Sequence, residues 1–184
     1  MPVDVKGEIE MVQRPNENEF PAYYLPYVKS VPEGDLLQVL KEHLEETINF
    51  FEDISEADSH FRYAENKWSI KEVLGHMADT ERVMSYRLLR IGRGDETPLA
   101  GFNENVYVKG AHTDRLPLKS ILEDFTATRN ATLTLIQNMP EEAWSKKGIA
   151  NNTEVTANAV AYIIAGHAIH HSKIIKEKYL TALK

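Results

Sequence analysis

The stretch Ser69-Ile70-Lys71-Glu72-Val73-Leu74-Gly75-His76-Met77-Ala78-Asp79-Thr80-Glu81-Arg82-Val83-Met84-Ser85-Tyr86-Arg87-Leu88-Leu89-Arg90-Ile91-Gly92 decides the fold. Ile70, Val73, Leu74, Met77, Met84, Leu88 and Ile91 recur at helical steps, which lays an apolar stripe along one face. Ser69 is a suitable N-cap, and the segment stops at Gly92 and Gly94. Three further segments carry the same period. One spans 35–54, from a capping Asp35 through Leu36, Leu37, Leu40, Leu44, Ile48 and Phe51. The next starts at Pro117, a favoured first helical residue, and runs through Leu118, Ile121, Leu122, Phe125, Leu135 and Ile136 to Pro140. The last covers 153–180 and carries Val160, Ile163, Ile164, Ile174 and Ile175. At ~1.5 Å per residue each is roughly 30–40 Å long, the dimension of a four-helix bundle. Strand signals are nearly absent, so the predicted class is all-α.

Outside these segments the chain is uneven. Residues 1–34 are expected to form an extended segment, because prolines at 2, 15, 21, 26 and 32 hinder helix; Tyr23, Tyr24, Leu25 and Tyr27 would pack it on the bundle domain of 35–184. Links cover 55–68, 92–116 and 140–152. The second is long enough to cross the bundle or cover one of its ends, and loops of that length are usually functional or disordered.

Composition narrows the function. The chain has 184 residues, one domain's worth, with 21 basic and 28 acidic side chains and a formal charge of −7. That balance leaves no basic footprint for nucleic acid or an anionic membrane. Cysteine is absent, which excludes disulfides, thiolate ligands and a cysteine nucleophile. No apolar run approaches the ~20 residues of a membrane span. The first ten residues lack the apolar core of a secretory signal, so a cytoplasmic location is the expectation. There is no phosphate-binding glycine loop, nucleophile elbow or nucleophile–base pair.

Chemistry is carried by histidine. Of seven, His167 and His171 stand four residues apart on the last helix, so their side chains leave one face a turn apart. They share that face with Val160, Ile164 and Ile174, which points them toward the core. His76 lies at the edge of the Val73/Met77 stripe and reaches the same space if the two helices are neighbours. Three neutral imidazoles would leave coordination positions open, as a catalytic metal site requires. The alternative is a set of hydrogen-bonded core histidines, since buried imidazoles are often just that. His170, three residues from His167, could substitute in the set; His43, His60 and His112 read as surface or loop residues.

Other polar positions offer less. Asp79, one turn after His76, could orient an imidazole or accept from a metal-bound water, or simply face solvent. Glu81, Arg82, Arg87 and Arg129 read as ion pairs between helices, and Tyr86 and Trp68 as core packing. Asn103, Glu104 and Tyr107 lie in the long link, where they could cover a pocket at the bundle end.

Three blocks resemble the DinB-like (YfiT/DinB) superfamily: Arg62-Tyr63-Ala64-Glu65-Asn66-Lys67-Trp68 running on through Arg82, Leu99-Ala100-Gly101-Phe102-Asn103, and Gly166-His167-Ala168-Ile169-His170-His171. The resemblance covers nearly everything from residue 20 onward. It implies an up-down-down-up bundle with a long crossover between the second and third helices. It also implies a divalent metal, zinc or nickel foremost, held by His76, His167 and His171. Relatives often have Asp where this chain has Asn103, which puts an acid/base part for that position in doubt; the adjacent Glu104 is the candidate to compensate. The family's activities imply conjugation of a low-molecular-weight thiol to an electrophile, or thiol-dependent isomerisation or hydrolysis, in a protein that is often a homodimer.

Two functions follow as expectations. One is a metal-dependent enzyme, a thiol S-transferase or hydrolase, acting on a small molecule without nucleic-acid or membrane partners. The other is a non-catalytic metal- or ligand-binding stress-response module.

Overall fold

The computed structural model describes residues 13–183; the part of the expected extended segment before residue 13 lies outside them. Four long helices form the body: α2 (Leu36–Glu52), α3 (Ile70–Gly92), α5 (Leu118–Gln137) and α6 (Ala157–Ile174). Short α1 (Leu25–Ser30), α4 (Glu104–Ala111) and α7 (Leu180–Leu183) are added to them. Among the described residues no helix is long and apolar enough to cross a membrane.

Local chemistry sets the starts of the helices. The Gln38 N–H donates to the Asp35 carboxylate at the head of α2. At the head of α3 the Glu72 N–H donates to Ser69 Oγ while the Ser69 N–H donates to Glu72 Oε2, a reciprocal capping box. Pro117 caps α5 from just outside the helix rather than occupying its first turn.

Side-chain bridges between helices give their directions. Arg129 of α5 meets Glu81 of α3, and each stands eleven residues after its helix begins; the Leu118 N–H at the start of α5 donates to Glu56, which also holds Lys71 at the start of α3. α3 and α5 are therefore parallel. Leu40 of early α2 meets Arg129 at mid-α5, and Phe51 at the end of α2 shares a cavity with Leu118 at the start of α5, so those two are antiparallel. His76 of early α3 meets His167 of late α6, again antiparallel. The bundle is up-down-down-up, and residues 93–117, with α4, form the crossover.

Three elements differ from expectation. Residues 25–30 are a helix, not extended chain, because Pro26 falls in the first turn, where no N–H is needed. The last helix begins at Ala157 rather than near 153; before it, β1 (Lys147–Ala150) and β2 (Thr153–Thr156) form a hairpin. Its two-residue loop, Asn151–Asn152, has φ of 52° and 62°, the left-handed pair such tight hairpins need. Toward its end the last helix widens into a π segment over Ile175–Tyr179.

The core is one continuous cluster that includes Leu40, Phe51, Leu74, Leu88, Phe125 and Ile163. α1 crosses α6 so closely that a Cβ on Gly166 would stand 2.1 Å from the Tyr27 carbonyl oxygen. Only glycine admits that approach, and it presses Tyr27 against the part of α6 that carries the histidines.

A candidate three-histidine metal centre

α3 supplies His76 and α6 supplies His167 and His171. The two Nε2 atoms of His76 and His167 are 3.0 Å apart, and one nitrogen from each of the three rings lies within 4.8 Å of the others. Around a tetrahedral ion with ligand distances of ~2.0–2.1 Å, neighbouring nitrogens stand about 3.3 Å apart. The trio fits such an ion after small ring rotations, and among the described residues no carboxylate or further histidine joins the cluster.

Burial sets the protonation of these rings. It pulls His76 down to about 4; burial, with His76 and His170 as neighbours, pulls His171 down to about 3. His167 is lowered well below the ordinary histidine range by burial first, then by His171, His76 and His170. All three are therefore neutral at pH 7 and keep a lone pair for a cation. The Thr80 hydroxyl lies 3.4 Å from His76 Nδ1, which leaves Nε2 facing the centre. Trp68 packs on His76 at 4.7 Å between ring centres, and Tyr27 stands edge-on to His167 at 5.6 Å.

Two cavities reach the trio. One, about 240 Å³, is lined by Tyr24, Tyr27, Thr80, Arg87, Glu104 and His167, among others. The second, about 260 Å³, is lined by Tyr63, Lys67, Trp68, Asn105, His171 and Tyr179, among others. Glu104 and Asn105, adjacent in the first turn of α4, thus belong to different cavities. A larger cavity, about 750 Å³ along the α2–α5 seam, is lined by none of the histidines.

The remaining candidates fall in varied places. Asp79 faces Arg82 at 3.8 Å, and it is Thr80, four residues after His76, that touches the imidazole. Asn103 caps α4, its Oδ1 accepting from the Val106 N–H, and lines neither cavity; an aspartate there would cap as well. Tyr107 packs on Phe102. His170 leans on Tyr27, 5.1 Å between ring centres, outside the trio. His60 and His112 are exposed, as expected.

Three expectations need correction. His43 is buried, because its Nε2 meets Ser172 Oγ of α6 at 3.0 Å beneath Arg129. Tyr86 is 52% exposed, held on the outside of α3 by the Arg90 side chain. Trp68 packs against the apolar core as expected, and its ring also lies on His76. Glu81, Arg82 and Arg129 do bridge helices, whereas Arg87 pairs with no carboxylate among the described residues. Thr80 could have been found from its spacing to His76; Tyr27 had no local signal, since a remote crossing places it.

Comparison with known proteins agrees with the architecture. A solved structure of YfiT from Bacillus subtilis, described as a probable metal-dependent hydrolase with an unusual four-helix bundle topology, superposes with a TM-score of 0.66 at 16% identity; 89% of this chain and 92% of that one are covered. A mycothiol-dependent maleylpyruvate isomerase superposes with a TM-score of 0.62 at 15% identity over 74% of this chain, which spans 58% of that protein. No curated protein matches the sequence. The family model described as the DinB superfamily matches residues 40–175, from early α2 through the end of α6 and across all three histidines, so the chain belongs to the DinB superfamily.

Proposed function

We propose that this protein is a metal-dependent enzyme in which His76, His167 and His171 hold one divalent transition ion, zinc or nickel, and a low-molecular-weight thiol or a water is activated there. The observation that carries this reading is the convergence of three neutral imidazoles from two helices, with cavities reaching them on two sides. When bound, such an ion lowers the pKa of a thiol or water and makes it a nucleophile at neutral pH. The chain's own groups then position and exclude. Trp68 and Tyr27 shield the rings from water on either flank. Burial, then the nearby Glu104 carboxylate, raises the Tyr27 phenol, which keeps it a proton donor. Glu104, on the rim of the same cavity, is the carboxylate placed to accept a proton from an incoming nucleophile. With no cysteine in the chain, a sulfur nucleophile has to arrive as a co-substrate. Two separate cavities accommodate two reactants, which supports thiol transfer over simple hydrolysis.

Protein purified without chelator should carry one divalent ion per chain by elemental analysis. His76→Ala and His167→Ala should each weaken metal affinity by at least about 100-fold, more than the loss of an outer-shell partner, and both should still give a folded circular-dichroism spectrum. A panel of thiols with a chromogenic electrophile should show turnover in the parent alone. Alanine variants that hold the ion as tightly as the parent would overturn the assignment. Metal bound tightly without turnover on any thiol or ester would favour the non-catalytic module instead.

A further inference from the structure

Arg87 is 3% exposed and lines the 240 Å³ cavity that His167 also lines, as do Met84, Phe102 and Tyr24, the groups around its guanidinium. Its surroundings account for only part of its hydrogen-bonding capacity. Nη2 donates to the Ala100 carbonyl at 2.8 Å, and Nη1 lies 3.3 Å from Met84 Sδ. The Phe102 ring packs on it at 5.8 Å, and the Tyr24 phenol stands beside it. No carboxylate lies within ion-pair distance among the described residues, although a guanidinium offers five N–H donors and a buried charge without a counter-ion is costly. The other buried arginine of the bundle, Arg129, has its carboxylate. Arg87 is thus a cation whose anion is missing, and it faces a cavity.

We propose that Arg87 is the anchor for the carboxylate of a small organic acid, seated in this cavity with its other end toward His167. A planar guanidinium matches a carboxylate with two parallel hydrogen bonds, and the Tyr24 hydroxyl is placed to add a third contact. The cavity's volume falls below the ~300 Å³ at which sites for drug-sized ligands begin, so the guest is small. Charge selects further. Glu104, exposed at the rim of the same cavity, repels a second negative charge, which favours a monocarboxylate over a phosphate dianion. The side chain of a helical residue leans toward the helix N-terminus. Nη1 against Met84, three residues earlier, shows the Arg87 guanidinium directed back along α3, and a guest spanning the cavity has one end on the guanidinium and the other by Thr80 and His167. As a statement about substrate this rests on the metal-centred reading above; as a statement about binding it does not need the ion.

The test compares matched acid and amide probes: propionate against propionamide and benzoate against benzamide, with inorganic phosphate as a third arm. Binding is read by calorimetry and by chemical-shift perturbation at Arg87, in protein as purified and again after chelator treatment. The carboxylates should bind in the millimolar range in both preparations, and the amides at least about tenfold more weakly. Arg87→Gln should lose at least about tenfold in carboxylate affinity, and Arg87→Lys should recover only part, since a point charge cannot make the bidentate pair. The acid–amide comparison in the parent stands even where a variant fails to fold. Equal binding of acids and amides, a preference for phosphate, or unchanged affinity in Arg87→Gln would overturn the proposal. Binding that disappears only on chelation would assign the carboxylate to the metal, and would overturn the Arg87 anchor while leaving the metal centre intact.

Discussion

Arg129 and Arg87 lie on the parallel neighbours α5 and α3, and both are sealed from water, at 0% and 3% exposure. Their surroundings differ. Arg129 makes a two-pronged bond to Glu81, donates to the Leu40 carbonyl and packs on Phe125, and beyond it His43 reaches Ser172. That network ties α2, α3, α5 and α6 together, and its charges balance internally. Around Arg87 and the three histidines the same kind of burial leaves capacity unspent, with a guanidinium lacking a carboxylate and imidazole lone pairs converging on shared space. A polar cluster saturated by its own chain serves the fold, while one left incomplete beside a cavity is prepared for a guest.

The sharpest way to break the contrast is to make the saturated cluster incomplete. Glu81→Ala leaves the Arg129 charge buried without a partner, and should cost about 3–5 kcal/mol of stability in urea unfolding, or roughly 10 °C in Tm. Metal content per folded molecule should be unchanged, because Glu81 touches none of the histidines. Replacing both partners with apolar residues, as Glu81→Leu with Arg129→Met, should recover much of the loss, since a fully apolar contact carries no stranded charge. A variant that lost metal in proportion to stability would show that the two clusters are one unit.

The same distinction explains what the sequence revealed. The four long helices were legible because their signals are local: a cap at Asp35 or Ser69, then an apolar residue every three or four positions. The histidine trio was legible through the four-residue spacing on α6 and through the blocks around it. Burial of His43 was not. Its neighbours Glu42, Glu45 and Glu46 suggest a solvated face, and it is Arg129 and Ser172, far away in sequence, that meet the ring. The hairpin escaped because its strands are four residues each and half polar, although the Asn151–Asn152 pair carried the turn signal. Arg87 looked like any interhelical cation; its lack of a carboxylate is a fact about three-dimensional neighbours that no spacing encodes.

An intermediate effect is expected from pH. Burial first, then Arg129 and Lys176, pull His43 down to about 3. Facing it are Arg129, already paired with Glu81, and the Lys176 and Glu46 side chains, which line the small pocket over His43. The unfolded chain takes up a proton there near pH 6.5 and the folded chain does not, so the unfolded state binds more protons and stability falls as pH drops below 6.5. By pH 5 the loss from this residue is about 2 kcal/mol. His43→Gln, which retains a donor toward Ser172 without a titrating ring, should flatten the urea-midpoint profile between pH 7 and 5 by about that amount. The lowered histidines of the trio act in the same direction, so some slope should persist in the variant, and added metal should not remove it, since a bound ion keeps those rings unprotonated in the folded state. An unchanged profile in His43→Gln would mean the network does not depend on a neutral ring.

The smallest effect is expected one residue along from the largest. Glu81 and Arg82 are consecutive on α3, and both reach across to α5, to Arg129 and Asp124 respectively. Glu81 points inward with its side chain 3% exposed, while Arg82 and Asp124 point outward at 45% and 48%. Geometry cannot be what separates them, because both are two-pronged pairs between the same two helices. Water is what separates them. For the outer pair, solvent screens the attraction and both side chains give up conformational freedom, so a double-mutant cycle with Arg82→Ala and Asp124→Ala should return about 0.2–1 kcal/mol. That coupling should shrink further in ~0.5 M salt, where screening acts within a few ångströms. The Glu81–Arg129 cost should hardly respond to salt. Should the outer pair couple as strongly as the inner one, pairing rather than burial would be what distinguishes the two kinds of polar cluster, and the open state of Arg87 would lose its significance.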